Sequence, residues 1–186
     1  MHHLVSSRHR YSRRSREDAQ DGGDSGMKVE QLDIKILLND HPFTKGLDEE
    51  KINALASIGS LARYTAGQKI FEENEVHRKF YLIVYGQIAL YFYIPGRGEF
   101  RFETIGPGQV LGWSSLVPPF KKTAGAIVLE NTLSIVFDSE KILRMIEADK
   151  GFGCEIYRRI IEVVGDRLKA ARIRLIDMYG KPEAKP

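Results

Sequence analysis

Seven short runs rich in β-branched and aromatic residues lie between residues 60 and 137, with glycine, proline and polar turn residues between them. The runs cover residues 61–64, 69–72, 80–84, 87–93, 100–105, 124–129 and 132–137. Many short strands at this spacing are typical of a sandwich or a jelly roll. The sequence therefore predicts an α+β, mainly β fold whose centre, residues 60–137, is a double-stranded β-helix (jelly roll).

Helical periodicity precedes these runs, at residues 27–59. A first helix begins near residue 30 and ends at the His-Pro-Phe sequence that starts at His41, because the residue before a proline disfavours helical dihedral angles. Its apolar side consists of Leu32, Ile36 and Leu37. Asp48 is expected to cap a second helix, which ends at Gly59. We therefore predict two helices on the N-terminal side of the jelly roll.

Helical spacing returns at residues 138–179, as a short helix that ends near Ile146 and a long helix from about residue 152 to residue 179. Along the long helix, seven residues recur at alternating spacings of four and three, which is a heptad pattern. They are Tyr157, Ile161, Val164, Leu168, Ala171, Leu175 and Met178. A second apolar strip lies beside the first half. We therefore predict a homodimer through residues 152–179; the alternative is a helix that packs only within its own subunit.

The two ends of the chain differ from its centre. Residues 1–26 contain few large apolar side chains and many arginine, serine and aspartate residues, so we expect a disordered basic and polar tail. A solvated tail is the simpler interpretation, and contact of its arginines with nucleic acid or membrane is the alternative. Residues 180–186 are expected to form a second, short tail.

Composition excludes several classes of function. A formal net charge of +3 gives no electrostatic argument for nucleic-acid binding. The one cysteine, Cys154, excludes an internal disulfide and a cysteine-ligated iron–sulfur cluster, and we expect it to serve as a small apolar residue. Outside the tail, His41 and His77 each stand alone, which argues against a metal site. No apolar run has the length of a membrane span, and we expect a cytoplasmic protein.

Residues 106–126, here called the cassette, combine a glycine-spaced turn, a one-turn helix candidate and two lysines between two predicted strands. The helix candidate is the segment 113–116, and Lys121 and Lys122 precede the next strand. Backbone amides at a helix N-terminus attract anions because they lack internal partners and lie at the positive end of the dipole. Lysines beside such a turn add positive charge at the same place. The pattern predicts an anion-binding site, and a solvated loop is the alternative for both lysines.

The order of these features resembles the cyclic-nucleotide-binding domain of the catabolite-activator and protein-kinase regulatory-subunit family. The resemblance covers about residues 40–179 and depends on the order and spacing of several short matches. They are His41-Pro42-Phe43 with Gly46-Leu47, Gly67 with Lys69-Ile70-Phe71, Phe80-Tyr81-Leu82-Ile83 with Gly86, Gly108, and the segment 112–124. The resemblance implies an eight-stranded β-roll, a phosphate-binding cassette and a regulatory role without catalysis, with cAMP or cGMP as the candidate ligand.

The resemblance also implies roles for individual residues of the cassette. Gly112 and the backbone amides of Ser114 and Ser115 match the helix N-terminus that holds the cyclic phosphate. Lys122 stands where the family has an arginine that pairs with the phosphate. Thr123 matches the small hydroxyl residue beside that arginine.

Two positions of the cassette depart from the family pattern. Trp113 occupies the position of a glutamate that accepts a hydrogen bond from the ribose, and tryptophan has only an N–H donor. Lys122 lacks the forked geometry of arginine. On the long helix, a polar group of the family reaches the base, and the nearest positions here are Arg167, Ala171 and Arg172, of which Ala171 is not polar. Trp113 is therefore expected either to stack on a ring or to fill the pocket.

Three functions follow as alternatives. The first is a sensor that binds a cyclic nucleotide or another anionic small molecule, with no cofactor and no metal. The second is a degenerate domain with a filled pocket that acts as a dimeric scaffold for an unknown protein partner. The third and weakest is a metal or redox enzyme. The chain ends seven residues after Tyr179, so we expect a stand-alone module that does not bind DNA directly.

Overall fold

The computed structural model describes residues 34–179, and the chain divides into two compact units between residues 142 and 143. The first unit contains the strands and the helices that precede them, and the second contains most of the C-terminal helical region. The predictions for the tails at residues 1–26 and 180–186 lie outside the described residues.

Two short helices precede the sheet. Helix α1 spans Ile34–Asp40 and helix α2 spans Glu49–Ile58. The carboxylate of Asp48 accepts a hydrogen bond from the backbone N–H of Lys51 at 2.9 Å, so it satisfies one of the orphan amides of the first turn. The predicted N-cap is therefore confirmed.

The apolar side predicted for helix α1 was wrong at Ile36, and Leu32 lies outside the described residues. Leu37 and Leu38 are buried, whereas Ile36 is exposed. His41, one turn after these leucines, is buried as well. The buried face therefore includes Leu37, Leu38 and His41. Leu37 and Leu38 precede His41 by four and three positions, which places them on the same face of a helix, whereas Ile36 precedes it by five.

The described part of the first unit contains six strands. They are β1 (Gly59–Tyr64), β2 (Lys69–Phe71), β3 (Lys79–Ile94), β4 (Gly98–Ile105), β5 (Val110–Leu111) and β6 (Gly125–Asp138). Strand β6 lies between β1 and β3, and β4 pairs with the other edge of β3. Strand β2 adds to β6 and β5 adds to β3, and every pairing is antiparallel. The predicted mainly β class is confirmed, with helices before and after the strands along the chain.

Two predicted breaks between strands are bends inside continuous strands. The runs at 80–84 and 87–93 both belong to β3, and those at 124–129 and 132–137 both belong to β6. The register between β3 and β6 shifts near Gly86, whose φ is +91°. A Cβ atom at Gly86 would lie 2.4 Å from the Thr132 hydroxyl oxygen, so glycine permits the close approach of the two bent strands. The resemblance implies eight strands, whereas the described residues contain six. The number falls by two because β3 and β6 each bend without ending and so each replace two of the implied strands.

Apolar side chains pack on both faces of β3. Residues Ile88 and Leu90 belong to the main core, whereas Ala89 and Tyr91 belong to a smaller cluster. Successive side chains of a strand point to opposite faces, so the two clusters lie on opposite sides of the sheet. The main core consists of Phe71, Tyr81, Ile83, Ile88, Leu90, Ile105, Leu111, Ala124, Ala126, Val128 and Val136.

Two further helices follow the sheet. Helix α3 spans Ser139–Ala148 and helix α4 spans Lys150–Tyr179. The carboxylate of Asp149 accepts a hydrogen bond from the backbone N–H of Phe152 at 3.0 Å, which caps the start of α4. A Cβ atom at Gly153 would lie 2.7 Å from the Cγ2 atom of Ile146, so glycine allows α3 and α4 to pack closely. The predicted short and long C-terminal helices are both present.

Candidate functional site

The backbone of the cassette turns sharply after strand β5. Gly112 has φ of +81° and precedes a 3-10 helix over Trp113–Leu116. A Cβ atom at Gly112 would lie 2.8 Å from the carbonyl oxygen of Lys79 and 2.9 Å from the Nζ atom of Lys122. The left-handed backbone and the close approach both require glycine here.

Lys122 is buried, with 1% of its surface exposed. Its ammonium donates to the carbonyl oxygens of Lys79 at 3.2 Å and Gly112 at 3.3 Å. It also lies 4.9 Å from the centre of the Phe71 ring, a cation–π distance. The solvated-loop alternative is therefore wrong for Lys122, whereas the neighbouring Lys121 is exposed.

The turn at residues 73–75 fixes the direction of the Lys122 side chain. The backbone N–H of Asn74 donates to the carbonyl of Lys122 at 2.8 Å, and the N–H of Lys122 donates to the carbonyl of Glu75 at 2.9 Å. Asn74 has φ of +64°, a left-handed conformation that asparagine tolerates better than most residues. Because neighbouring side chains in extended backbone point to opposite sides, Lys121 points outward and Lys122 inward.

The charge on Lys122 is poorly compensated. Burial lowers its pKa to about 8, and attraction to Glu75 opposes part of that shift. Among residues 34–179, no carboxylate forms an ion pair with its ammonium, whose polar partners are the two carbonyl oxygens. A buried cation without an anion is costly, so an anionic group that reached this ammonium would gain a charge-assisted hydrogen bond.

Phe71, whose ring lies beside the Lys122 ammonium, belongs to an aromatic group with His77 and Tyr81. The Nε2 atom of His77 lies 2.6 Å from the hydroxyl of Tyr81, and its Nδ1 atom lies 3.2 Å from the carboxylate of Glu75. The His77 ring stacks on Tyr81 and also packs against Phe71. Burial lowers the pKa of His77 and raises the pKa of Tyr81, so the histidine is neutral at neutral pH. Since the carboxylate only accepts, Nδ1 carries the proton and Tyr81 donates to Nε2.

Sequence reasoning treated His77 as an isolated turn residue and missed this group. One signal was available, because His77 and Tyr81 are four residues apart at the start of an extended run. An even spacing places two side chains on the same face of extended backbone. The contribution of Phe71 had no comparable signal, since it depends on how strand β2 pairs with β6.

The structure brings only part of the predicted site together. Gly112, Ser115 and Lys122 meet at one carbonyl, because the N–H and hydroxyl of Ser115 donate to the Gly112 oxygen at 2.9 and 2.8 Å. The Ser115 amide is thus already paired within the turn. Ser114 is buried and Trp113 is half-buried. The remaining two predicted residues are Thr123, which is exposed, and Arg167, which lies half-buried on α4 in the second unit.

Other chemistry finds little support in the described chain. No group of three or more metal-ligating side chains lies together among residues 34–179. Cys154 lies near the start of α4 and is exposed, so it does not contribute to a buried core. No helix in the described part is both long enough and apolar enough to cross a membrane.

Comparison with known proteins identifies the fold and the domain family. The family profile described as "Cyclic nucleotide-binding domain" matches residues 61–149. The cyclic AMP receptor protein of Thermus thermophilus is 27% identical over 105 residues, which are 56% of this chain and 49% of that protein. A CRP-like cAMP-activated global transcriptional regulator of Mycobacterium tuberculosis is 23% identical over 134 residues, or 72% of this chain and 58% of that protein. The chain thus spans about half the length of the curated relatives it matches.

Solved structures share the same architecture. A cyclic nucleotide-binding domain from Methylobacillus flagellatus KT superposes with a TM-score of 0.67 at 16% identity, over 78% of this chain and 82% of that one. The Thermus thermophilus catabolite activator protein gives a TM-score of 0.60 at 23% identity, over 74% of this chain and 63% of that one. At such identities the likeness shows the fold alone. The family profile shows that residues 61–149 belong to the cyclic nucleotide-binding domain family.

Proposed function

We propose that this domain is a regulatory module that binds cAMP, cGMP or another anionic small molecule at its cassette and catalyses no reaction. The observation that carries the proposal is the buried ammonium of Lys122, which has carbonyl partners and no carboxylate in the described chain. Gly112 and Lys122 lie side by side, as expected for a phosphate site between a turn and a cation.

The energetics favour an anionic ligand over a neutral one. A hydrogen bond to a charged group contributes about 1.5–3 kcal/mol, which corresponds to roughly tenfold to more than a hundredfold in affinity. A bound phosphate would supply this interaction and would also hold the proton on Lys122, whose pKa burial lowers to about 8. Cyclic nucleotides are the first candidates because the domain belongs to a family described by that ligand.

The departure at Trp113 bears on which nucleotide binds. A half-buried tryptophan replaces the carboxylate that would accept a hydrogen bond from the ribose, so the sugar loses one anchor. The exposed part of the indole can stack on a ring of the ligand instead. The roles of Thr123 and Arg167 in ligand contact stay predictions, as do the homodimer and the cytoplasmic location.

Thermal unfolding of the full chain tests this proposal. Titrations should include cAMP, cGMP, 5′-AMP and inorganic phosphate, because the last two separate recognition of the cyclic ester from general anion binding. A ligand at a hundred times its Kd should stabilise the fold by about 2.7 kcal/mol. Stabilisation by a cyclic nucleotide and not by inorganic phosphate is the expected result, and no stabilisation by any of the four would reject cyclic-nucleotide binding.

A second candidate function, a scaffold with a filled pocket, is favoured by a specific observation. Both Lys122 and the Ser115 amide already have hydrogen-bond partners within the turn. Phe71 and His77 pack beside them. A ligand would have to displace some of these contacts. If the domain is a scaffold, none of the four ligands should change its unfolding temperature. Replacement of Trp113 by another large apolar residue should also leave the unfolding temperature unchanged.

A further inference from the structure

Aromatic side chains form a wall beside the buried ammonium of Lys122. The Nζ atom lies 4.9 Å from the centre of the Phe71 ring, and the ring of Phe71 packs against that of His77 at 5.3 Å between centres. The His77 ring stacks on Tyr81 at 6.0 Å, and Tyr64 meets Tyr81 edge to face at 6.2 Å. Phe71 and Tyr81 belong to the main core, and Tyr64 packs against it. These four rings, here called the aromatic wall, therefore connect the ammonium to the main core.

The strong hydrogen-bond acceptors around the ammonium already have donors. The Nε2 atom of His77 accepts from Tyr81 at 2.6 Å. One oxygen of the Glu75 carboxylate accepts a backbone N–H at 2.8 Å, and the other lies 3.2 Å from the Nδ1 atom of His77. The carbonyl of Gly112 accepts from the N–H and the hydroxyl of Ser115 as well as from the ammonium. A ligand hydroxyl placed here would lose its water partners and would meet acceptors that are engaged, which is unfavourable.

The ammonium itself has room for one more acceptor. A lysine ammonium carries three N–H donors, and that of Lys122 donates to the two carbonyl oxygens of Lys79 and Gly112. The third donor is left for a ligand. Because the ammonium is a compact point charge, it suits a single oxygen of a phosphate or a carboxylate. The site therefore offers one charged contact beside a surface of rings.

We propose that the site takes an anion joined to an aromatic ring, as in an aryl phosphate or an aryl carboxylate, and that it does not recognise a sugar. This inference rests on the proposed function, since both place the negative group of the ligand at Lys122. The anion would contact the ammonium, and the ring would pack on the aromatic wall, where Phe71 lies beside the charge. A cyclic nucleotide would bind through its phosphate and its base, and its ribose hydroxyl would contribute little to affinity.

Three phosphate monoesters of six-membered rings test the inference by calorimetric titration of the full chain. Phenyl phosphate, cyclohexyl phosphate and myo-inositol 1-phosphate carry the same charged group on an aromatic, an aliphatic and a hydroxylated ring. Phenyl phosphate should bind at least about tenfold tighter than inositol phosphate, because its ring gains apolar contact and brings no hydroxyl that needs a partner. Cyclohexyl phosphate should have an intermediate affinity, because it gains apolar contact without stacking.

A nucleotide pair gives an independent readout. The ligand 2′-deoxy-cAMP differs from cAMP only by loss of the ribose hydroxyl. We expect the two Kd values to agree within about twofold, whereas a site that binds this hydroxyl to a charged acceptor would lose about tenfold or more.

Two phenylalanine variants supply the matched comparison. Phe71→Leu removes the ring beside the ammonium and should lower the preference for phenyl phosphate over inositol phosphate by roughly threefold to tenfold. Phe80→Leu makes the same change at a buried position that packs against Phe43 and Phe137, and it should leave the preference unchanged. Urea unfolding checks that both variants fold. Because the preference is a ratio of two affinities in one variant, a moderate loss of stability does not change it.

The possible failures separate the inference from the proposed function. Inositol phosphate that binds as tightly as phenyl phosphate, with both weakened in Lys122→Met, would overturn the aromatic ligand class and keep the anion site. The hydroxyls of Ser114 and Tyr64 would then be the candidates that contact the sugar-like ring. Equal affinity for phenyl and cyclohexyl phosphate would also overturn the aromatic class. Binding of none of these ligands, or binding that Lys122→Met does not weaken, would overturn the inference and the proposed anion site together.

Discussion

The ammonium of Lys122 lies 3.3 Å from the carbonyl oxygen of Gly112, and glycine at that position leaves the space the ammonium occupies. This contact links two parts of the cassette. Gly112 lies at the turn that starts the 3-10 helix, and Lys122 lies just before strand β6. The contact places a buried cation beside a turn whose backbone is left-handed. An anion that bound here would contact both elements, and the first two predictions follow from this geometry.

Ligand affinity should decrease above about pH 8. In the free domain Lys122 loses its proton near that pH, because burial lowers the pKa of Lys122 to about 8. In the complex the negative charge of the bound anion keeps Lys122 protonated to a higher pH. Affinity should therefore fall by up to about tenfold per pH unit between pH 8 and the higher pKa of the complex. Calorimetric titrations at pH 7 and pH 9 measure this. Lys122→Arg keeps its charge over that range and should show equal affinity at both values; an equal fall in the arginine variant would assign the effect to another group.

Gly112→Ala should destabilise the fold by about 3 kcal/mol or more, from a left-handed alanine and from overpacking against Lys79 and Lys122. Gly67 provides the control, because its φ of +86° is similar and nothing lies within 4 Å of its Cβ position. Gly67→Ala should cost only about 1 kcal/mol, the backbone contribution alone. Urea unfolding compares the two variants, and equal losses would mean that the close approach at Gly112 does not matter.

Much of the scaffold could be predicted from sequence, and the reasons are local. The cap at Asp48, the left-handed Asn74 and the glycine at position 112 each follow from the chemistry of one short segment. The strands were harder to predict, because β3 and β6 continue through their bends while they pair with each other from Lys79–Asp138 to Tyr91–Gly125. Periodicity along one segment carries no information about that pairing.

The candidate site was predicted in part for the same reason. The positions of Gly112 and Lys122 follow from one segment, but burial of Lys122 depends on hydrogen bonds with the turn at Asn74 and Glu75, almost fifty residues away. The group formed by His77 and Tyr81 became visible only once the strands were placed. The sequence interpretation was therefore incomplete wherever the site depends on contacts between segments that are distant along the chain.

Trp113→Glu should raise the affinity for a cyclic nucleotide. The carboxylate would restore an acceptor for the ribose hydroxyl, and one charge-assisted hydrogen bond contributes about 1.5–3 kcal/mol. Calorimetry with cAMP and cGMP should therefore show at least a tenfold gain. Trp113→Leu is the control, because it removes the indole without adding an acceptor. If the leucine variant gained as much as the glutamate variant, relief of crowding would explain the result.

Stability should fall as the pH decreases from about 6.5 to 4. Burial lowers the pKa of His41 to about 4, although the backbone carbonyls of Ile83 and Gln109 oppose that shift. Between the two pKa values the unfolded chain binds a proton that the folded chain does not, so folding loses up to about 3 kcal/mol on acidification. His41→Asn keeps an acceptor for the N–H of Phe43 and does not titrate. Urea unfolding across this range should show a smaller pH dependence in the variant; an unchanged dependence would exclude His41 as its source.

Calorimetric titration of the full chain with cAMP and cGMP, repeated for Lys122→Met and Lys121→Met, tests the central claim most directly. Methionine is unbranched, keeps most of the length of the side chain and removes its charge, and Lys121 is the exposed neighbour that carries the same charge. We expect the wild-type chain and Lys121→Met to bind one of the two nucleotides with similar affinity, and Lys122→Met to bind at least about tenfold more weakly. Binding by Lys122→Met as tight as that of the wild type, or binding of neither nucleotide by the wild type, would contradict the account.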